Sequence, residues 1–190
     1  GKNYIDSMKK MDLEAFYRGL STAVSGDKSS LTEEEMVRVL AQFKRQNEAK
    51  ELMELKEKAE ANTQAGQKFL AENAKQADVQ ITKSGLQYIV QQAGKGASPK
   101  KDAWVKVHYE GRLIDGTVFD SSIARDQPAE FRLNQVIQGW TEGLQLMKEG
   151  SKYRFFIPAE LAYGQVGSGD IIEPNSTLIF DVELIEILKK

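Results

Sequence analysis

The chain of 190 residues carries 26 basic and 28 acidic residues, so its net charge is only −2 and the sequence predicts no polybasic surface for nucleic acid or anionic membranes. It contains no cysteine, which excludes disulfides, thiolate nucleophiles and most structural zinc sites. No apolar run approaches the roughly 20 residues of a transmembrane helix. The length allows one large domain or two small ones, and the residue patterns favour two.

The first part of the chain has helical periodicity. Apolar residues recur at helical spacing from Tyr4 to Met11, which predicts that a helix is already under way there. Asp12 is a predicted N-cap and Gly26 a predicted C-terminal stop for a second, short helix. Its apolar stripe consists of Leu13, Phe16, Tyr17, Leu20 and Val24. This pattern is typical of an amphipathic helix that packs one face against a partner.

A much longer helix follows. Thr32 and Glu35 form a capping box, which predicts a helix start at this point. No proline or strong stop occurs before about Asn73 to Ala77, so the helix should be about 40 residues long. Its middle is dominated by Glu, Lys, Arg and Ala, and charge pairs at i,i+4 spacing favour a solvated strut. A coiled coil, the alternative, needs apolar a and d positions that residues 44–65 do not supply.

The apolar residues of these helices are expected to lie between two copies of the chain. They are Phe16, Tyr17, Met36, Val39 and Phe43, and they form two short faces with too little partner surface of their own. The pattern therefore predicts that residues 1–45 form a helical dimerisation domain and hold a homodimer together through interleaved helices. Residues 46–76 would be a long connecting helix, and residues 77–190 a second domain.

After Gln76 the hydrophobic period changes from that of a helix to that of a strand. In residues 104–110, alternation places Val105, Val107 and Tyr109 inside and the intervening residues, including His108, in solvent. Asp115-Gly116 is a hairpin-turn dipeptide. Further strands are predicted over residues 86–90, 118–120, 131–133, 153–157 and 177–188. The second domain is therefore predicted to be an antiparallel sheet.

A short segment around Trp140 interrupts the strands. Gly139 and Gly143 bracket the tryptophan, and Thr141 and Glu142 offer helix-start chemistry, so a helix of one or two turns is predicted. Such a helix is too short to be stable alone and must be held by the surrounding sheet. Trp140 is then either ordinary core or part of a functional site.

Most catalytic chemistry is excluded by the residue types. A solvated His108 gives no base for a nucleophilic triad, and Asp181 and Glu183 have the outward alternation of solvated charges. No carboxylate cluster has metal-ligand spacing, so neither a metal nor a cofactor is expected. The glycine-rich run 164–169 does not lead from a strand into a helix, so it is predicted to be a surface loop rather than a phosphate cradle. An excess of aromatic residues near loops remains, and it predicts an apolar pocket.

Several motifs in a fixed order resemble a known family. They are Val107-His108-Tyr109-Glu110-Gly111, Gly116-Thr117-Val118-Phe119-Asp120-Ser121-Ser122, Val136-Ile137-Gln138-Gly139-Trp140, Leu161-Ala162-Tyr163-Gly164 and Leu178-Ile179-Phe180-Asp181-Val182-Glu183-Leu184. Residues 84–188 resemble an FKBP-type peptidyl-prolyl cis-trans isomerase, and the helical first part resembles the N-terminal dimerisation domain of its macrophage infectivity potentiator group. The resemblance implies an α+β fold: helical dimerisation domain, long connecting helix, and a twisted antiparallel sheet wrapped around a short helix.

The same resemblance implies a set of site residues. Trp140 would be the floor of a proline pocket, with Asp120, the Tyr163 hydroxyl and the Ile137 backbone N–H as its few polar contacts. The remaining members would be Tyr109, Phe119, Phe131 and Phe180 as an aromatic wall, Val136 and Ile137 on the near side, and Tyr163 and Ile171 on an overhanging loop. Two positions depart from the best-known members: Ala129 replaces an aromatic residue, and Ser168 stands where some members have histidine.

The resemblance also implies an activity. It is the isomerisation of X-Pro bonds in folding proteins without covalent catalysis, accompanied by chaperone activity; the alternative is a holdase chaperone or peptide-binding adaptor with incidental turnover. The implied partners are proline-containing and unfolded polypeptides, a second copy of the chain, and tacrolimus or rapamycin as pocket inhibitors. A periplasmic or outer-membrane-associated location is implied, with the cytoplasm as the alternative.

Overall fold

The structure of the chain is a computed structural model that describes residues 12–26 and 31–189. The helix predicted between Tyr4 and Met11 lies outside the described residues. The chain divides into two compact units, Gly1–Leu52 and Met53–Lys190. The domain boundaries predicted after residues 45 and 76 remain predictions. Among the described residues, no helix has both the length and the apolar character needed to cross a membrane.

Helix α1 spans Leu13–Ser25 and has both predicted caps. The carboxylate of Asp12 accepts a hydrogen bond from the Ala15 backbone N–H at 3.0 Å. Gly26 has a φ of 70°, and in this left-handed conformation its N–H reaches the Thr22 carbonyl. The first cap satisfies an N–H group, and the second a carbonyl, that the end of a helix otherwise leaves unpaired.

Helix α2 spans Glu33–Asn73, 41 residues, which agrees with the predicted length. The predicted capping box is present: the Thr32 hydroxyl accepts from the Glu35 N–H at 3.2 Å, and the Glu35 carboxylate accepts from the Thr32 N–H at 2.9 Å. Residues 48–58 are all exposed, as the charged sequence of this stretch predicts. Near its end the helix is partly covered, and Gly66 and Asn73 are buried.

The second unit contains an antiparallel sheet, as predicted. Its strands within the described residues are β1 (Gln80–Ile81), β2 (Gln87–Gln92), β3 (Trp104–Leu113), β4 (Val118–Ser121), β5 (Ala129–Arg132), β6 (Lys152–Ile157) and β7 (Leu178–Leu188). The strand order is β1-β2-β6-β7-β3-β4, and β5 pairs with β3. The short strand β1 was not predicted from the sequence.

Alternation along β3 buries one face of the sheet. Val105 and Val107 are fully buried, Tyr109 is nearly so, and all three belong to the hydrophobic core. The turn between β3 and β4 forms at the predicted dipeptide, where Asp115 accepts a hydrogen bond from the Thr117 N–H at 2.9 Å. Gly116 has a φ of 90°, a conformation that favours glycine.

Helix α3 spans Gln138–Leu146 and packs its buried face against the sheet, which confirms the predicted short helix. A methyl group on Gly143 would lie 2.6 Å from the Phe155 ring, so the glycine allows close approach of helix and strand β6. The helix begins before Trp140, and Ile137 caps it without a side-chain hydrogen bond. Thr141 does not cap the helix, because its hydroxyl donates to the Leu133 carbonyl instead.

Alternation correctly places His108 and Asp181 on the other face of the sheet, but neither side chain is fully solvated. His108 is half-buried, with its Nδ1 3.1 Å from the Ser122 hydroxyl, and is not a freely solvated residue. Asp181 accepts from Arg154 at 2.7 Å and from Arg112 at 3.1 Å, so it belongs to an ion-pair network. The partners of Asp181 lie on neighbouring strands, and Ser122 directly follows β4; alternation within one strand does not reveal such partners.

Candidate active site

A cavity of about 560 Å³ opens between the sheet, α3 and the loop that follows β6. All ten residues predicted for the site line it: Tyr109, Phe119, Asp120, Phe131, Val136, Ile137, Trp140, Tyr163, Ile171 and Phe180. Gln135, Ser168, Gly169, Asp170 and Ile172 also line it and were not predicted. The structure thus brings the predicted residues together, while their roles in catalysis remain predictions.

Trp140 is the centre of the cavity lining and is only 4% exposed. The rings of Tyr109, Phe131 and Phe180 lie 5.2–5.4 Å from the indole, with interplanar angles of 80–87°. Perpendicular aromatic pairs at this spacing are favourable because a positive ring edge meets a negative face. The indole Nε1 is buried and has no hydrogen-bond partner within the described parts of the chain. The tryptophan is therefore held by ring packing, and three aromatic walls surround it.

The register between β3 and β7 explains how these rings meet. Tyr109 on β3 lies opposite Val182 on β7, and Gly111, two residues on, lies opposite Phe180. Gly111 leaves room for two rings, since a methyl group there would lie 2.6 Å from both Phe119 and Phe180. Phe119 and Phe180 pack at 5.5 Å with an interplanar angle of 82°. A glycine in the middle of a strand thus permits the aromatic wall to form.

Asp120 is the main charged group of the cavity. Its carboxylate accepts hydrogen bonds from the Tyr109 hydroxyl and from the Arg125 guanidinium. Burial raises the pKa of Asp120, but these hydrogen bonds outweigh burial and hold the pKa below its ordinary value. Burial and the bond to Asp120 raise the pKa of Tyr109. At neutral pH Asp120 is therefore ionised and Tyr109 is protonated.

Arg125 was missed from the sequence. It lies in the turn after β4, its guanidinium is 5.9 Å from the Tyr109 ring centroid, and Nη2 donates to the Tyr109 hydroxyl at 3.2 Å. The sequence signal that points to it is a basic residue five positions after the candidate site carboxylate Asp120. Together with Tyr109, this side chain lowers the pKa of Asp120, and it does so from outside the cavity lining.

The loop after β6 forms the opposite wall. Tyr163 and Ile171 are 39% and 47% exposed, whereas Ile172 is buried in the core and anchors the loop. The loop is internally paired, since the Ser168 N–H donates to the Ile172 carbonyl at 2.8 Å and the Ile172 N–H donates back at 3.2 Å. The predicted surface loop is therefore ordered, and it presents two half-exposed apolar side chains at the cavity.

The two positions that differ from the best-known family members, Ala129 and Ser168, lie in different parts of the domain. Ala129 begins β5 opposite Val107 and packs against the core without lining the cavity. Ser168 lines the cavity directly. Of the two, only Ser168 is placed to touch a bound molecule.

The lining supports apolar binding rather than proton or metal chemistry. Across residues 12–26 and 31–189 no group of three or more His, Asp or Glu side chains is arranged to hold a metal ion. The lining is mainly aromatic and aliphatic with a few polar residues, the usual composition of a small-molecule or peptide pocket. Such a cavity can hold a flat apolar ring and exclude water from it.

Comparison with known proteins agrees with this geometry. Residues 95–185 match the family model of the FKBP-type peptidyl-prolyl cis-trans isomerase, and residues 1–90 match that of the domain amino terminal to it. The "Outer membrane protein MIP" of Legionella longbeachae is 44% identical over 189 residues, which cover all of this chain and 81% of that protein. The chain belongs to the FKBP-type peptidyl-prolyl cis-trans isomerase family. The resemblance found in the sequence is confirmed.

Two further FKBP-type relatives cover both units of the chain. The "Probable FKBP-type peptidyl-prolyl cis-trans isomerase FkpA" of Neisseria meningitidis is 48% identical over 178 residues, 94% of this chain and 65% of that protein's length. The crystal structure of FkpA from Escherichia coli superposes with a TM-score of 0.84 at 38% identity, over 98% of this chain and 88% of that one. The chain thus spans about two thirds of the Neisseria relative, and the helical part as well as the sheet domain is shared with the solved structure.

Proposed function

We propose that this FKBP-type chain is a peptidyl-prolyl cis-trans isomerase and that the cavity around Trp140 is its active site. The observation that carries the proposal is the arrangement of three rings nearly perpendicular to a buried indole. An apolar cavity with an aromatic floor of this kind can accept a proline ring. The ten lining residues named above are the proposed site residues, and no cofactor is required.

The chemistry needs an apolar cavity more than it needs a reactive group. Rotation about an X-Pro bond has a barrier of about 18–20 kcal/mol because resonance gives the amide partial double-bond character. The planar amide is the charge-separated form, so a dry cavity disfavours it relative to the twisted amide, in which conjugation is lost. Binding that holds the proline ring while the rest of the peptide turns then favours the transition state over both planar states.

The polar groups of the lining are suited to orientation of the peptide rather than to acid or base catalysis. Asp120 is ionised and already accepts two hydrogen bonds, while the Tyr109 hydroxyl donates its proton to Asp120. Neither group has a free proton to transfer at neutral pH. We infer that they, together with the Tyr163 hydroxyl and the Ile137 backbone N–H, align the peptide beside the bound proline.

A substitution in the wall tests the site assignment. Phe119→Ala removes one ring from the cavity, and kcat/KM for an X-Pro peptide should fall about tenfold, as expected for the loss of one buried aromatic contact. Val118→Ala is the matched control, since Val118 is adjacent and 48% exposed but does not line the cavity. Tacrolimus or rapamycin should compete with the peptide. A folded Phe119→Ala protein with unchanged kcat/KM would contradict the assignment.

Exposed apolar residues favour dimerisation through the first unit. In a single chain Phe16, Tyr17, Val39 and Phe43 are 45–63% exposed, and Met36 is 37% exposed. Apolar faces of this kind usually mark an interaction surface. We propose that residues 1–45 form a homodimer, which would link two catalytic domains and raise the effective concentration of the second site for a long polypeptide. A light-scattering mass of one chain at micromolar concentration would disprove it.

The proposed dimer favours a second function, binding of unfolded polypeptides as a chaperone, because two linked domains leave a cleft that can hold an unfolded chain. The two functions are separable by truncation, and the contacts of α2 decide where to cut. Asn73 donates to Gln87 at 2.8 Å, so the end of α2 belongs with the sheet domain and removal of residues 1–52 is preferable to removal of residues 1–75. The shorter chain should isomerise peptides but not suppress aggregation. If it does both, the helical part has no separate role.

We propose a periplasmic or outer-membrane-associated location. The name of the Legionella relative, "Outer membrane protein MIP", supports it. Fractionation of cells that express the native gene should recover the protein in the envelope. Recovery in the cytoplasm would establish the alternative.

A further inference from the structure

The loop that forms one wall of the cavity is also bonded to helix α2. The side-chain amide of Asn175, at the end of this loop, donates to the Thr63 hydroxyl at 3.0 Å and to the Ala59 carbonyl at 3.3 Å. All three residues belong to the compact unit Met53–Lys190. Asn175 therefore contacts a helix that contributes no residue to the cavity.

Neighbouring residues repeat this connection. The Asn62 amide donates to the Pro174 carbonyl at 3.0 Å and to the Glu173 carboxylate at 3.4 Å. Lys58 pairs with Glu173 at 2.8 Å, although both side chains are more than 40% exposed and such pairs contribute little. The partly buried amide bonds of Asn62 and Asn175 are the stronger part of the connection.

Asn175 is connected to the cavity through its backbone. Its φ of 57° is unusual for a residue other than glycine, and asparagine is among the residues that tolerate it best. In this conformation its N–H donates to the Gly164 carbonyl at 2.8 Å, which closes the base of the loop next to Tyr163. One residue thus fixes the loop base with its backbone and binds α2 with its side chain.

These bonds are not needed to dock the helix. Further along α2, Phe69 packs on Phe156 at 5.9 Å, Asn73 donates to Gln87, and the Gln87 amide donates to the Leu70 carbonyl at 2.9 Å. This second set of contacts holds α2 on the sheet independently of the loop. The bonds at residues 58–63 therefore act mainly on the loop.

We propose that Asn175 is a positioning residue. The bonds that it donates to Thr63 and Ala59 of α2, together with those that Asn62 donates to the loop, hold the cavity wall that carries Tyr163 and Ile171 in its binding conformation. A loop ordered in advance loses less conformational freedom when a ligand binds, so affinity is higher. The expected effect of these bonds on substrate affinity rests on the proposed function. Their effect on loop order does not depend on that function.

Two variants of the full chain test the proposal, one in the loop and one in α2. Asn175→Asp keeps the size of the side chain and its tolerance of positive φ but removes the two N–H donors, and Asn62→Ala removes donors from the helix. Gln64→Ala is the matched control on α2, because Gln64 is exposed and its amide contacts only Glu60, at 3.4 Å, among the described residues. Both test variants should raise KM for an X-Pro peptide about fivefold, with kcat nearly unchanged.

Hydrogen exchange gives the second readout. The paired loop amides of Gly167, Ser168, Ile172 and Asn175 should exchange faster in both test variants, whereas amides of β3 and β7 should not change. Unchanged loop exchange in both variants overturns the proposal. So does faster exchange throughout the sheet, or a fall in kcat with KM unchanged. If the wild-type chain shows no isomerase activity, the proposed function fails and the exchange result alone decides the proposal.

Discussion

A single methyl group at Gly111 should both destabilise the domain and impair catalysis. Gly111 is buried within β3, and a Cβ atom built there lies 2.6 Å from two atoms of Phe119 and one of Phe180. Carbon atoms in contact are ordinarily about 3.5–4.0 Å apart, so the rings must retreat by about 1 Å. Both rings line the cavity, and the space they take is taken from it.

The sign of the effect is set by two opposing contributions. Glycine weakens a strand interior, so alanine alone would stabilise β3 by a few tenths of a kcal/mol. Overpacking of a well-packed core destabilises by about 1–3 kcal/mol. Gly111→Ala should therefore lower the free energy of unfolding by about 1–2 kcal/mol. A 1 Å displacement of binding groups reduces activity by up to about 100-fold, so a 10- to 100-fold fall in kcat/KM is expected.

Urea unfolding followed by tryptophan fluorescence measures the first effect, since both tryptophans, Trp104 and Trp140, lie in the sheet domain. An X-Pro isomerisation assay measures the second. Gly19→Ala in α1 is the control, because a Cβ there meets nothing within 4 Å and activity should be unchanged. If Gly111→Ala is as stable as wild type and equally active, the description of the wall as tightly packed is wrong.

Three further outcomes are expected. Although burial raises the pKa of Asp120, hydrogen bonds lower it overall, so the stability that this carboxylate supplies is complete above about pH 5 and is lost progressively as pH falls further. The difference in urea midpoint between wild type and Asp120→Asn should therefore shrink below about pH 5, and a constant difference would contradict the shift. Gly66→Ala should lower the free energy of unfolding, because the added methyl group would overlap the Thr177 hydroxyl, although alanine favours helices over glycine by about 1 kcal/mol. A higher urea midpoint than that of wild type would refute this. Asn73→Ala should lower the free energy of unfolding by about 1–3 kcal/mol, since Gln87 is buried and loses a donor; an unchanged midpoint would show that water replaces the bond.

Local chemistry made much of the fold predictable. The Asp12 cap, the Thr32 capping box and the turn at Gly116 each depend on residues within a few positions of one another, and each is present. Alternation correctly assigned the inner face of β3 because period-two burial is intrinsic to a strand. The cavity residues were found through family motifs, since no local rule brings Tyr109, Trp140 and Phe180 together.

Long-range pairing was not predictable in the same way. The partners of Asp181 come from other strands and that of His108 from the residue after β4, and their identity depends on register, which a single strand does not specify. The hydrogen bonds that Asn175 donates to α2 join residues more than 100 positions apart, as the sequence numbers show. The start of α3 was misjudged because Thr141 bonds to the Leu133 carbonyl rather than acting as a cap. Tertiary contacts override local preference at each of these positions.

Strand order has a consequence for biosynthesis. Among the strands that the structure describes, β7 comes last along the chain yet lies between β6 and β3. Until residues 178–188 leave the ribosome, β3 and β6 each keep an unpaired edge, and open edges favour association with other chains. Phe180 is missing from the cavity over the same period. The proposed site is thus complete only after translation of β7, and the nascent chain is exposed to aggregation until then.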